Sequence, residues 1–118
     1  TLAMSACYSP NEDAPLGFDL PFDLHTGLRV ESVWQRWLEF DPVVAVERYA
    51  QAWRGLDFLH VEAGKTDEFH LQFGLRVLRK RMEEFEVPHS SEEFAGGHFD
   101  INHRYQALLP RMIAALVN

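Results

Sequence analysis

The stretch from Phe58 to Phe94 changes its hydrophobic period twice, and this constrains the fold more than any other feature of the chain. Phe58-Leu59-His60-Val61-Glu62-Ala63 is short, partly β-branched and flanked by Gly55 and Gly64, the pattern of a strand. Leu71, Leu75, Leu78, Met82 and Phe85 then recur at helical spacing and form one apolar stripe. Pro88 stops that helix, and residues 89–94 alternate weakly as a second strand. Strand, helix and strand in this order predict an α/β fold in which two parallel strands are joined by a crossover. The tight loop Ala95-Gly96-Gly97-His98 leads to a last helix over about 101–117, which Pro110 is expected to kink or break.

Upstream, Leu2 to Tyr8 is small and apolar and reads as a short buried strand, for three predicted strands in all. Its open edge would then be a template for another chain, which predicts a homo-oligomer paired near residues 1–10, or an N-terminal segment filling that place. Residues 11–30 carry two prolines and two glycines and read as loop, with Phe18, Leu20, Phe22 and Leu24 as apolar anchors. Val33, Trp34, Trp37 and Leu38 mark a helix, and Asp41-Pro42 supplies the cap and first-turn proline of another that ends at Gly55. The expected organisation is one domain over 1–118, with a loop and helical excursion at 11–55 and a strand–helix–strand–helix segment at 56–118.

The formal net charge of −7 excludes nucleic acid as the expected partner. The one basic cluster, Arg76, Arg79, Lys80 and Arg81, runs into Glu83, Glu84 and Glu86 and reads as a solvated face of mixed charge. No apolar run approaches the ~20 residues of a membrane span, so no membrane partner is expected. Cys7 is the single cysteine and leaves the redox compartment open; a cytoplasmic location is the expectation.

Two loop residues carry the candidate chemistry. Asp67 follows the first strand of the pair and His98 the second, 31 residues on. Parallel strands bring both to one edge of the sheet, where ligands bind in open α/β folds. A carboxylate beside a histidine fixes its tautomer and stabilises its protonated form, leaving the other ring nitrogen as a general base. Asp67 is equally well placed to cap the next helix, and His98 to be an ordinary loop histidine. His98, Asp100 and His103 offer a metal-like His-x-Asp-x-x-His set, but with Asp100 as helix cap they leave no metal or other cofactor expected. His25, His60, His70 and His89 occur singly. Phe18, Phe22, Trp34, Trp37, Tyr49 and Trp53 line an acyl pocket or, more simply, pack a core, while Phe69 and Phe99 stand beside the pair.

The segments Val61–Leu71 and Glu92–Asp100 resemble the end of the esterase family that includes esterase D and the enterochelin-esterase-like hydrolases. There an acid follows a strand in a Gly-x-x-Asp-x-Phe pattern, matched by Gly64, Asp67 and Phe69, and the histidine lies in a Gly-Gly-His loop, matched by Gly96-Gly97-His98. Gly17 to Asp23, the tryptophan-rich helix and Asp41-Pro42 extend the resemblance over nearly the whole chain. It implies the C-terminal part of an α/β-hydrolase fold, with a small parallel sheet flanked by helices. It also implies Asp67 and His98 as catalytic residues, a small-molecule ester as substrate, and no cofactor.

The chain departs from the family at the nucleophile. Ser5, Ser9, Ser32, Ser90 and Ser91 all lack the flanking glycines of a Gly-x-Ser-x-Gly elbow. Cys7, in Ser-Ala-Cys-Tyr, lacks the small neighbours that a strained elbow needs. The expectation is a serine supplied from outside these residues and an inactive isolated chain. The alternative is a non-catalytic remnant or binding module of the same fold.

Overall fold

The computed structural model describes residues 1–117 and divides into two compact units, Thr1–Ala45 and Val46 onward. The division falls inside a helix, ahead of Gly55, where the sequence pattern changes.

In the first unit, Leu2–Tyr8 is a helix, α1, and not the expected strand. Leu-Ala-Met-Ser-Ala-Cys-Tyr contains no β-branched residue, and Ala, Leu and Met are among the strongest helix formers. The strand edge that motivated oligomerisation through residues 1–10 is therefore absent. The following loop is ordered around Ser9, whose buried hydroxyl donates to the Asp19 carbonyl (2.8 Å) and accepts the Trp37 indole N–H (2.9 Å). Arg36 bonds both the Asp19 carboxylate and the Pro10 carbonyl. Phe18, Leu20 and Phe22 are half-buried as expected, but Leu24 is exposed and anchors nothing. Helix α2 (Glu31–Leu38) buries Val33. Asp41 Oδ1 accepts the Val43 N–H (2.8 Å) at the start of α3 (Pro42–Arg54), where Pro42 occupies the first turn without losing a bond.

In the second unit, β1 (His60–Gly64) pairs in parallel with β2 (Ser90–Phe94). The register runs from His60 opposite Ser90 to Gly64 opposite Phe94. Helix α4 (Leu71–Glu84) joins them and packs on β1, and α5 (His103–Leu116) follows. The described residues thus form a mixed α/β structure with one two-stranded parallel sheet, one strand fewer than the sequence suggests. Pro110 lies inside α5 without ending it; the helix continues for another six residues.

The core of this unit gathers Val46 and Ala50 of α3, Met82 of α4, and Val87, with Trp53, Leu59, Val61, Leu78 and Phe85 packed around them. The α4 stripe divides. Leu75 and Met82 are buried and Leu78 and Phe85 partly so, whereas Leu71 is half exposed at the helix start. The basic residues of α4 pair with Glu83, Glu84, Glu47 and Glu93, the solvated mixed-charge face read from the sequence.

Met82 is 1% exposed. Met82→Ala should therefore cost about 2–5 kcal/mol in urea unfolding, whereas Val77→Ala on the exposed face of α4 should stay within about 0.5 kcal/mol. Equal losses would show that the stripe does not define the core.

Candidate functional site

The loops leaving the carboxyl ends of β1 and β2 are stitched to each other. The Lys65 N–H donates to the Phe94 carbonyl (2.9 Å), and the Thr66 N–H and hydroxyl both donate to the Gly96 carbonyl (3.0 and 2.9 Å). A Cβ at Gly64 would overlap the carbonyl oxygens of Gly96 and Gly97, so only glycine permits this approach. The approach brings Asp67 and His98 together.

Asp67 Oδ2 lies 3.0 Å from His98 Nδ1. Its other oxygen accepts the Phe69 N–H (2.8 Å) and the Leu71 N–H (3.3 Å). One oxygen thus faces His98 while the other accepts the backbone N–H groups at the start of α4. His70, at the N-cap position of α4, is left-handed (φ 61°) and makes no side-chain cap, so Asp67 serves in its place. Asp67 is only 4% exposed, and this burial raises its pKa. The bonds from His98, Phe69 and Leu71 outweigh that effect and hold the carboxyl below its ordinary value.

An ionised carboxylate only accepts hydrogen bonds, so the proton of this pair resides on His98 Nδ1. Among the described residues no group bonds Nε2, which is left with a free lone pair. The His98 side chain is 39% exposed. The rings of Phe69 and Phe99 stand edge-on to the imidazole, with centroids at 4.8 and 5.2 Å. Asp67 and His98 line a cavity of about 110 Å³ with Leu71, Phe94 and Ile101. That is smaller than the ~300–1,000 Å³ usual for a ligand pocket.

Three further features escape the sequence reading. Glu68 Oε2 accepts the backbone N–H of His98 (2.7 Å). Glu62, which also borders the cavity, takes three bonds from Arg104 of α5, and Arg104 also reaches Glu92 (2.7 Å). His60 lies between Ser90 Oγ (2.8 Å) and Glu62 Oε2 (3.2 Å). Arg104 chiefly, against the effect of burial, holds Glu62 below the ordinary carboxylate range; in return the Arg104 guanidinium is pushed up. The available signal was the parallel register itself, which sets Glu62 directly opposite Glu92 and calls for a cation between them.

The His-x-Asp-x-x-His set does not converge on a metal. His103 Nδ1 bonds the Asp100 backbone carbonyl (3.0 Å), and Asp100 is left-handed (φ 58°). The N-cap of α5 is Asn102, not the expected Asp100, and it makes no side-chain cap. His60, Glu62 and Glu92 have metal-like spacing, but the Arg104 guanidinium already occupies the two carboxylates. Cys7 lies exposed in the first unit, and Ser90 is committed to His60. Trp53 packs on the core and Trp37 on Ser9. No helix among the described residues is long and apolar enough to cross a membrane. No protein-family model matches the chain, and comparison with curated proteins gives no match.

Glu62, Asp67, Glu68 and Glu93 all have folded-state pKa values below their ordinary ones near 3.8 (Asp) and 4.5 (Glu). The unfolded chain therefore binds more protons as the solution is acidified. The stability these groups contribute is complete above the unfolded values and is lost as pH falls through the folded ones. The urea midpoint should hold from pH 7 to about 5 and drop below about 4.5, with a shallower drop in Glu62→Gln. A midpoint unchanged down to pH 3 would contradict these assignments.

Proposed function

We propose that this chain is the C-terminal part of a serine carboxylic-ester hydrolase of the α/β-hydrolase type. Asp67 is its acid and His98 its base. One observation carries the reading: a buried carboxylate bonded to His98 Nδ1 leaves Nε2 free at the carboxyl edge of a parallel sheet.

In this reading Nε2 removes the proton of a serine hydroxyl as its oxygen attacks the ester carbonyl. Asp67 stabilises the resulting imidazolium, which then protonates the departing alcohol. In the second half-reaction His98 activates water against the acyl-enzyme in the same way. Phe69 and Phe99 shield one side of the ring. The serine and the N–H groups that stabilise the oxyanion come from polypeptide outside these residues. The substrate is a small-molecule ester, and the location is cytoplasmic.

A second reading, a binding module or non-catalytic remnant of the same fold, is favoured by one fact: among the described residues no hydroxyl or thiol side chain lines the cavity.

The reading frame preceding Thr1 should encode a Gly-x-Ser-x-Gly segment. The polypeptide that contains it should react with a fluorophosphonate and hydrolyse p-nitrophenyl acetate. In that polypeptide kcat should fall roughly 10⁴-fold in Asp67→Asn, and at least as far in His98→Ala. The 118-residue chain alone should cleave the ester no faster than its own His98→Ala variant. Esterase activity that survives His98→Ala would reject the proposal, and a polypeptide inert to the fluorophosphonate would favour the binding module.

A further inference from the structure

Two consecutive carboxylates grip one histidine. Asp67 takes the ring through Nδ1 (3.0 Å), and Glu68 takes the backbone of the same residue through its N–H (2.7 Å). The two torsions that aim an imidazole, χ1 and χ2, lie between these anchor points. A histidine held at only one of them can still swing; held at both, its Nε2 direction is fixed.

The surroundings of Glu68 are shaped for this grip. A Cβ at Gly97 would come within 2.7 Å of Glu68 Oε1 and 2.8 Å of Oε2, so the carboxylate lies in the space that a side chain there would fill. The room that Gly97 leaves by having no side chain is taken by Glu68. The His98 N–H is the leading influence that keeps the Glu68 carboxyl below its ordinary value, and the Asp67 charge opposes it. Glu68 is itself exposed, so burial does not hold it in place. Its position follows from the hydrogen bond and from the gap at Gly97.

We propose that Glu68 is a positioning residue for the general base: it clamps the Gly97–His98 backbone so that the His98 ring meets Asp67 with Nδ1 and presents Nε2 outward. This rests on the reading of His98 as a base, but its test reads the histidine and not ester turnover.

The experiment is ¹⁵N NMR of the 118-residue chain, at a pH where the ring is neutral, with hydrogen exchange of the His98 amide. The native chain should show His98 mainly as the Nδ1–H tautomer. Glu68→Ala should shift the ring toward the Nε2–H form and speed exchange of the His98 amide roughly tenfold, the loss of one charge-assisted bond. Glu68→Gln, whose amide oxygen still accepts the N–H, should restore most of both. Gly97→Ala should reproduce Glu68→Ala by displacing the carboxylate, and should add nothing in the Glu68→Ala background. The urea transition of Glu68→Ala should remain single and cooperative, with the chain folded under the NMR conditions, separating a local change from unfolding.

A native tautomer and native exchange in Glu68→Ala would overturn the clamp. So would a Glu68→Gln variant as impaired as Glu68→Ala, because charge and not bond acceptance would then be at work. Additive effects of the Glu68 and Gly97 substitutions would overturn it as well. An inert full-length polypeptide would remove the esterase reading and leave these NMR results standing.

Discussion

Everything at the site depends on two parallel strands lying in register with their outgoing loops in contact. His60 pairs with Ser90 and Gly64 with Phe94, so the two chains leave the sheet side by side. Parallel strands cannot be joined by a tight turn, and the intervening helix separates Asp67 from His98 in sequence while the sheet reunites them. Gly64 makes the reunion possible, since a side chain there would press on the Gly96 and Gly97 carbonyls. The geometry of the Asp67–His98 pair is thus a property of the strand pair and its glycines.

The same register creates an electrostatic demand farther along the strands. Glu62 and Glu92 stand opposite each other, and two carboxylates so placed repel. Arg104 bridges them from α5 and lies over the Phe94 ring at 4.7 Å. α5 itself buries no residue fully, and it is tied to the sheet by this polar bridge, by the ring contact and by the bond from Arg111 to Ser90 Oγ (3.2 Å). The bond between His60 and Ser90 closes the series at the amino ends of the strands. Partly buried ion pairs of this kind seldom add much net stability over a well-packed apolar replacement, because desolvation offsets attraction, whereas removing one partner leaves the other charge uncompensated.

How much of this was legible in the sequence follows from what each element depends on. The strand–helix–strand unit was legible because its signals are periodic and local, from the α4 stripe to Pro88. The Asp67–His98 pair was legible because spacing and strand direction alone place both residues on one edge. Leu2–Tyr8 was misread: seven residues are too few for period to decide, and the absence of β-branched side chains, which favours a helix, was the better guide. The cap of α5 was displaced because Asp100 takes a left-handed conformation that no spacing rule foretells. Arg104 stands 42 residues from Glu62, and Glu68 acts on a backbone group 30 residues away. Both depend on tertiary placement, which a linear pattern does not encode.

At the centre of the site, an ionised Asp67 holds the proton of the pair on His98 Nδ1. A hydrogen shared between an imidazole and a buried carboxylate is strongly deshielded and slow to leave, so proton NMR of the chain reads it directly. One far-downfield ring-proton resonance is expected near neutral pH, and it should disappear in both His98→Ala and Asp67→Ala. Absence of that resonance in the native chain, or its survival in Asp67→Ala, would contradict the pairing on which the functional reading stands.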